Sequence, residues 1–298
     1  MTNKLFATAV LSCLASPALA GVEFEIEVTN HGAASSFSSI ASAMDAAGAG
    51  TAEQEQSRTE TTTVAVEGLN IKMGVGGGNG AEEMVFNGDR AEMIIISHGE
   101  QAYMVIDEAT VTDAGAEIEK QLAGADAQIQ KMLESVPADQ RPALEQLMKQ
   151  NMPPQMQGQQ PPRRQAEIRR TAETATKNGY PCVKYEVLVD GRKVRELWVT
   201  DWNNIEGGNE AIDAFENMGD FFVDIENALP DFGQGSGMED NPFSNMRELG
   251  GFPVVTKEFD DYGELESEAQ LRSATPRTFG PDAFTPPAGY KRQDMFGR

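Results

Sequence analysis

Two histidines, His31 and His98, are the chain's only imidazoles that could act as a general base. His31 lies in an Ala/Ser-rich stretch, and His98 lies in a tight turn without a marked carboxylate partner. The glycine-rich segment around Ser236 is similar to a nucleophile elbow, but Gln234 and Met238 stand where that motif needs glycine. The sequence therefore predicts two solvated turn histidines, no catalytic residues and no enzyme activity.

The run from Gly76 to Ala81 has the letters of a dinucleotide-binding fingerprint. That fingerprint needs a helix N-terminus directly afterwards, to hold the pyrophosphate. Here Glu82 and Glu83 follow and lead into a strand pattern, so negative charge stands where phosphate would bind. We expect a hairpin loop at this position and no cofactor.

Three methionines, Met148, Met152 and Met156, recur at every fourth position, and thioethers are ligands that Cu(I) prefers. Pro153 and Pro154 interrupt a helix between the last two. Packing, or a soft apolar binding surface, is the favoured interpretation of these side chains. Cu(I) binding at the three methionines stays the alternative, and the sequence predicts no other metal site.

Residues 1–20 have the layout of a secretory signal peptide: a basic start, a short apolar run, and small residues at Ala18 and Ala20. This layout predicts cleavage after Ala20 and a mature chain in the periplasm. The residues before Cys13 loosely resemble a lipobox. A lipoprotein anchored through Cys13 is therefore the less favoured alternative.

The composition is strongly acidic, with 47 acidic against 24 basic residues and a net charge of −23 over 298 residues. Such a surface favours solubility and argues against a nucleic-acid partner. Past residue 20 no apolar stretch is long enough for a transmembrane helix. Cys182 is the only cysteine beyond the predicted signal, so we expect a structural thiol and no intramolecular disulfide.

Alternating apolar and acidic residues from Val22 to Val28 predict that the mature chain opens with a half-buried strand. The other predicted strands cover residues 59–66, 69–75, 83–86, 91–97, 102–106, 166–177, 182–189, 193–200, 254–259 and 265–274. Asp190-Gly191 is the strongest hairpin signal in the chain. Most of these strands are joined by short turns, which predicts an antiparallel sheet rather than alternating βαβ units.

Helical patterns are confined to two parts of the chain, a helical insertion at 113–151 and a helix at 206–229. A flexible insertion at 31–57 and a disordered Pro/Gln-rich linker at 152–165 complete the organisation. The prediction is one α+β domain over 21–298, with a curved antiparallel sheet, a helical insertion and covering helices.

The segment from Gly179 to Gly191, the strand at 103–107 and the closing segment from Phe284 to Tyr290 resemble a bacterial exported family classified as a domain of unknown function. The segment beginning at Pro137 also resembles the central helical insertion of that family. The family is in turn similar to the half-barrel of LolA-type periplasmic lipoprotein carriers. That resemblance implies a curved sheet around an apolar cavity for acyl chains, and it implies no catalytic residue.

The predicted function is non-enzymatic binding of an apolar or amphiphilic ligand, such as a lipid or a lipoprotein acyl chain, on the curved sheet. The candidate cavity-lining residues are Phe24, Ile26 and Val28 in the first strand, with Leu197 and Val199, or their neighbour Trp198, in the central hairpin. Trp198 is also the expected fluorescence reporter, with Trp202 as background. The alternative is an envelope protein–protein interaction module without a small ligand.

Overall fold

A computed structural model describes residues 21–31, 58–75, 82–116, 120, 124, 166–228 and 246–294, and these residues fold around one β-sheet. In these residues the sheet has twelve strands. They are β1 (Gly21–Asn30), β2 (Arg58–Glu67), β3 (Asn70–Val75), β4 (Glu82–Asn87), β5 (Glu92–Ser97), β6 (Ala102–Ile106), β7 (Ala166–Lys177), β8 (Tyr180–Val189), β9 (Arg192–Thr200), β10 (Phe252–Phe259), β11 (Leu265–Arg277) and β12 (Lys291–Arg292).

The strand order across the sheet is β12-β6-β5-β4-β3-β2-β1-β11-β10-β9-β8-β7. Neighbouring strands are antiparallel except β12 and β6, which run parallel. In the described part of the chain the sheet is curved and does not close, and β12 and β7 form its two ends. The turn between β8 and β9 confirms the predicted hairpin, because Asp190 and Gly191 have φ of 53° and 77°, as a type I′ turn requires.

Helical structure begins at residue 108, ahead of the predicted start at Asp113. Asp107 explains this start, because its Oδ1 accepts hydrogen bonds from the Thr110 hydroxyl at 2.6 Å and the Thr110 backbone N–H at 2.8 Å. The same two bonds lower the pKa of Asp107. We name this helix, whose described part covers residues 108–116, α1. The other helices are a short 3-10 helix (Trp202–Asn204), α2 (Gly208–Ala228) and α3 (Met246–Leu249).

Cross-strand register divides the side chains between two faces, because directly opposed residues in antiparallel strands point to the same side. One row across β1, β11, β10 and β9 consists of Val28, Ala269, Thr256 and Leu197. The adjacent row consists of Glu27, Gln270, Val255 and Trp198 and points to the opposite side. We name the side of the first row the helix-covered face and the other side the outer face.

Helix α2 packs its apolar side on the helix-covered face. The ring of the fully buried Phe24 stacks on Phe252 at 4.9 Å and meets the edge of Phe215 in α2 at 5.9 Å between centroids. The α2 side chains in this core recur at helical spacing and are Ala211, Ala214, Phe215, Met218, Phe221, Phe222 and Ile225. Strands β2, β3 and β4 contribute Val64, Val66, Ile71, Met73, Met84 and Phe86.

The outer face of β4, β5 and β6 is covered by the C-terminal segment of the described chain. Phe284 packs there in a cluster with Val85, Ile94, Ile96 and Val105. The segment then adds β12 beside β6, a strand that is absent from the sequence-based prediction. This part of the sheet is therefore covered on both sides.

The structure confirms the predicted antiparallel sheet, its curvature and the helix predicted at 206–229, and a half-barrel is consistent with it. Strand residues far outnumber helix residues in the described chain, so the α+β class has only loose support. Most of the helical residues predicted from the sequence fall in 113–151, and most of that range is not among the described residues. The signal peptide 1–20, most of 31–57, most of 113–151 and the linker 152–165 lie outside the described residues.

Candidate binding pocket

A small apolar pocket, which we call the central pocket, lies on the helix-covered face between α2, α3 and the middle of the sheet. Its apolar wall consists of Ile26, Val64, Phe215, Met246, Phe252, Pro253, Ala269 and Leu271. Its volume is about 50 Å³, whereas sites for drug-sized ligands measure roughly 300–1,000 Å³. The central pocket therefore has room for the end of one alkyl chain or for one aliphatic side chain.

The connection between α3 and β10 passes so close to β9 that only glycine fits. A Cβ at Gly251 would lie 2.2 Å from the carbonyl oxygen of Thr200. The close approach places Met246 on one side of the connection and Phe252 on the other, both on the pocket wall. The sequence-based prediction does not single out this glycine, whose signal is the Gly250-Gly251 pair between a helix and a strand.

One end of the central pocket is polar, where Thr256 and Glu258 line it. The Glu258 carboxylate is paired with the Arg195 guanidinium at 3.3 Å and accepts a hydrogen bond from the Ser267 hydroxyl at 2.8 Å. The side chains of Arg195 and Glu258 are only 5% and 12% exposed. A buried ion pair of this kind depends on its added hydrogen bonds to offset the cost of desolvation.

The three candidate residues of β1 lie on the helix-covered face, but only Ile26 lines the central pocket. Phe24 is fully buried beneath Phe215 and Phe252. Val28, further along the strand, is 9% exposed. A ligand-binding role for these residues stays a prediction, and Ile26 is the one that reaches the pocket wall.

The three candidate residues of β9 are divided between the two faces. Leu197 and Val199 point to the helix-covered face and pack with Leu249 of α3 in a separate apolar cluster. Trp198 points to the outer face. Lys177 Nζ lies 4.3 Å from its ring centroid, and its Nε1–H donates to Glu196 Oε1 at 3.1 Å. Trp198 belongs to the same extended apolar cluster as Phe24 and Ile26, whereas Leu197 and Val199 do not. The structure therefore does not gather the six candidates around one site.

The two tryptophans exchange the roles that are expected of them from the sequence. Trp202 stacks with Phe215 at 5.9 Å and meets Phe252 edge-on at 5.4 Å between centroids. Both phenylalanines belong to the pocket wall. Trp202, rather than Trp198, is therefore the tryptophan whose fluorescence should respond to a ligand in the central pocket.

A polar cluster that sequence patterns do not reveal lies on the outer face around His98. Its Nε2 lies 3.2 Å from Glu83 Oε2, and its Nδ1 lies 2.8 Å from the Tyr290 hydroxyl. Lys72 Nζ also contacts Glu83 at 2.9 Å. The expectation that His98 has no carboxylate partner is wrong, because sheet pairing brings these distant residues together. The cluster fastens the C-terminal segment to the sheet.

Two further expectations concern metal binding and the thiol. The candidate Cu(I) ligands Met148, Met152 and Met156 lie outside the described residues. Among the residues that are described, no group of three or more His, Cys, Asp or Glu side chains is placed to hold a metal ion. Cys182 is buried, and burial raises the pKa of its thiol, as expected of a structural cysteine. None of the described helices is long and apolar enough to cross a membrane.

Comparison with known proteins gives no family assignment. No protein family matches the sequence, and no curated protein matches it. An uncharacterized conserved protein from Thermus thermophilus has a TM-score of 0.41 and 5% identity, over 92% of this chain and 89% of that chain. MucB in complex with MucA(peri) has a TM-score of 0.27 and 8% identity, over 91% of this chain and 56% of that chain. At such low scores neither structure assigns a function to this chain.

Proposed function

We propose that this protein is a non-enzymatic periplasmic protein that binds an amphiphilic ligand and takes the end of its apolar chain into the central pocket. The observation that carries the proposal is the pocket itself, a space of about 50 Å³ between α2, α3 and the sheet. Its wall is mostly apolar and a few polar groups stand at one end, which is the usual character of a small-molecule site. The resemblance to exported LolA-like proteins agrees with a binding role.

A second candidate is an envelope protein–protein interaction module, in which a side chain of a partner enters the central pocket. The observation that favours it is the filling of the helix-covered face by the chain's own residues. Phe24 lies beneath Phe215, and Leu197 and Val199 pack against Leu249. In the described residues this face offers a small pocket rather than a long cavity.

Native mass spectrometry of the protein purified from its own cell envelope separates the two candidates. The proposal predicts a stoichiometric bound amphiphile that is released by gentle activation. A stable complex with another protein and no lipid would favour the interaction module. Protein that carries neither, and binds no added single-chain amphiphile, would contradict the proposed function.

A further inference from the structure

Strand β7 forms one end of the sheet, and in the described part of the chain it pairs with β8 alone. Ala166, Glu167, Arg169 and Arg170 are exposed, so this stretch of β7 is open to solvent. The outer edge of such a strand carries backbone N–H and C=O groups that can pair with the strand of another chain.

A bulge divides β7 into two parts. Pairing with β8 is regular from Ala166 to Arg170, and the register shifts between Arg170 and Thr174. Within the bulge, the Thr171 hydroxyl donates to the Lys184 carbonyl oxygen at 3.0 Å and accepts from the backbone N–H of Glu173 at 3.2 Å. Because a bulge interrupts pairing, the longest regular part of this edge is 166–170, which we name the edge segment.

The turn between β8 and β9 determines which backbone groups of the edge segment point outward. The turn at 190–191 is type I′, so the flanking Val189 bonds to β9 and directs its N–H and C=O away from β7. Ala166 is opposed to Val189 and therefore directs its own N–H and C=O to the free edge. Those of Ile168 and Arg170 point the same way, because this direction alternates along a strand.

Two copies of the edge segment complement each other in an antiparallel register whose two-fold axis passes Ile168. The outward N–H and C=O of Ile168 then meet those of Ile168 in the second copy, and those of Ala166 meet those of Arg170. Glu167 lies opposite Arg169 of the second copy, and the symmetry repeats this pair of opposite charges. An axis at Glu167 or at Arg169 would instead oppose two like charges.

We infer that the edge segment is a dimerisation site and that its partner is a second copy of this chain. Charged side chains on an edge strand hinder unspecific pairing, but here their order matches a second copy. Ile168 packs in the apolar cluster of Leu197 and Val199, which the dimer extends across the axis. This inference is independent of any ligand in the central pocket.

Sedimentation equilibrium over a range of protein concentrations tests the inference. The edge segment is short, so we expect a dimer that dissociates on dilution. Glu167→Arg and Arg169→Glu each oppose like charges on both sides of the axis, and each should weaken dimerisation roughly tenfold or more. An equimolar mixture of the two variants restores both pairs of opposite charge and should form heterodimers. The control is Thr176→Arg, since Thr176 is exposed in the same strand beyond the bulge.

A second measurement does not depend on the charge variants. Ile168→Cys places two thiols at the axis, where opposed Cα atoms lie about 5.5 Å apart, within reach of a disulfide. We expect a cross-linked dimer on mild oxidation. Arg170→Cys is the control, because Arg170 lies two residues from the axis and too far from its copy to cross-link.

Three results would overturn the inference. They are a protein that stays monomeric at every concentration, a dimer that neither charge variant weakens, and a mixture of the two folded variants that does not associate. Absence of the Ile168→Cys cross-link would overturn it as well, even if Arg169→Glu fails to fold because it loses its ion pair with Glu186.

Discussion

The helix-covered face and the outer face belong to the same strands, yet they hold charge in different ways. On the helix-covered face, Arg195 and Glu258 form a pair whose side chains are 5% and 12% exposed. On the outer face, the side chains of the pair Arg272 and Glu27 are 41% and 31% exposed. The outer pair is solvated and contributes little to stability. In the inner pair, loss of either partner would leave a buried charge without its counter-charge, which is strongly destabilising.

The difference between the faces explains why β1 alternates so strictly between acidic and apolar residues. Glu23, Glu25 and Glu27 lie on the outer face and interact with polar side chains of β11. Phe24 and Ile26 lie on the other face, where one completes the core and the other lines the central pocket. A single strand thus supplies a solvated charged surface, a core residue and a pocket residue.

The largest expected effect is that of Phe24→Ala. Removal of this fully buried ring should lower the free energy of unfolding by about 3–5 kcal/mol, as buried Phe→Ala changes do. Urea denaturation measures the loss. The control is Tyr262→Ala, since Tyr262 is 92% exposed and its loss should cost at most about 0.5 kcal/mol. Equal effects of the two changes would show that Phe24 is not a core residue.

The second prediction compares the loss of stability when the buried ion pair is broken with the loss when the solvated ion pair is broken. Arg195→Met leaves Glu258 charged and buried, which should cost about 3 kcal/mol. Arg272→Met removes the partner of Glu27 on the outer face and should cost less than about 1 kcal/mol. Both losses can be measured by denaturant titration at low and high salt. A larger loss of stability for Arg272→Met than for Arg195→Met would contradict the claim that the ion pair on the outer face contributes less to stability.

A smaller effect concerns the cluster that fastens the C-terminal segment. Tyr290→Phe removes the hydroxyl that lies 2.8 Å from His98 Nδ1 and should lower stability by about 1 kcal/mol. Hydrogen exchange in β6 and β12 should rise with it. Tyr103→Phe is the matched control, because Tyr103 packs in the same apolar cluster. Equal effects of the two substitutions would show that the hydroxyl of Tyr290 does not hold the segment.

The smallest effect is an increase in stability. The pKa of Glu266 is raised in the folded protein, so its ionisation costs stability as pH rises through that value. Glu266→Gln should therefore raise the melting temperature slightly at neutral pH. The gain should vanish below about pH 4, where the carboxyl is protonated in the folded and unfolded states alike. A gain that persists in acid would contradict the electrostatic cause.

The local pattern of the sequence was sufficient to predict the sheet, since alternation marks β1 and Asp190-Gly191 marks a hairpin. It also placed Phe24, Ile26 and Val28 on one face. It could not decide between Trp198 and its neighbours, because that choice depends on the register of β9 against β10. The pair of Arg195 with Glu258 and the cluster of His98 with Tyr290 join residues far apart in the chain, which local patterns do not relate.

The central claim is that the central pocket binds the end of an alkyl chain. Ala269→Phe should fill the pocket, because Ala269 lies on its wall between Val28 and Thr256. Thr275→Phe is the control, since Thr275 is exposed in the same strand and is opposed to Glu23. Trp202 emission during titration with dodecylamine, in Trp198→Phe protein, measures the affinity. We predict a loss of roughly tenfold or more for Ala269→Phe and no change for Thr275→Phe. Unchanged affinity in folded Ala269→Phe protein would contradict the claim.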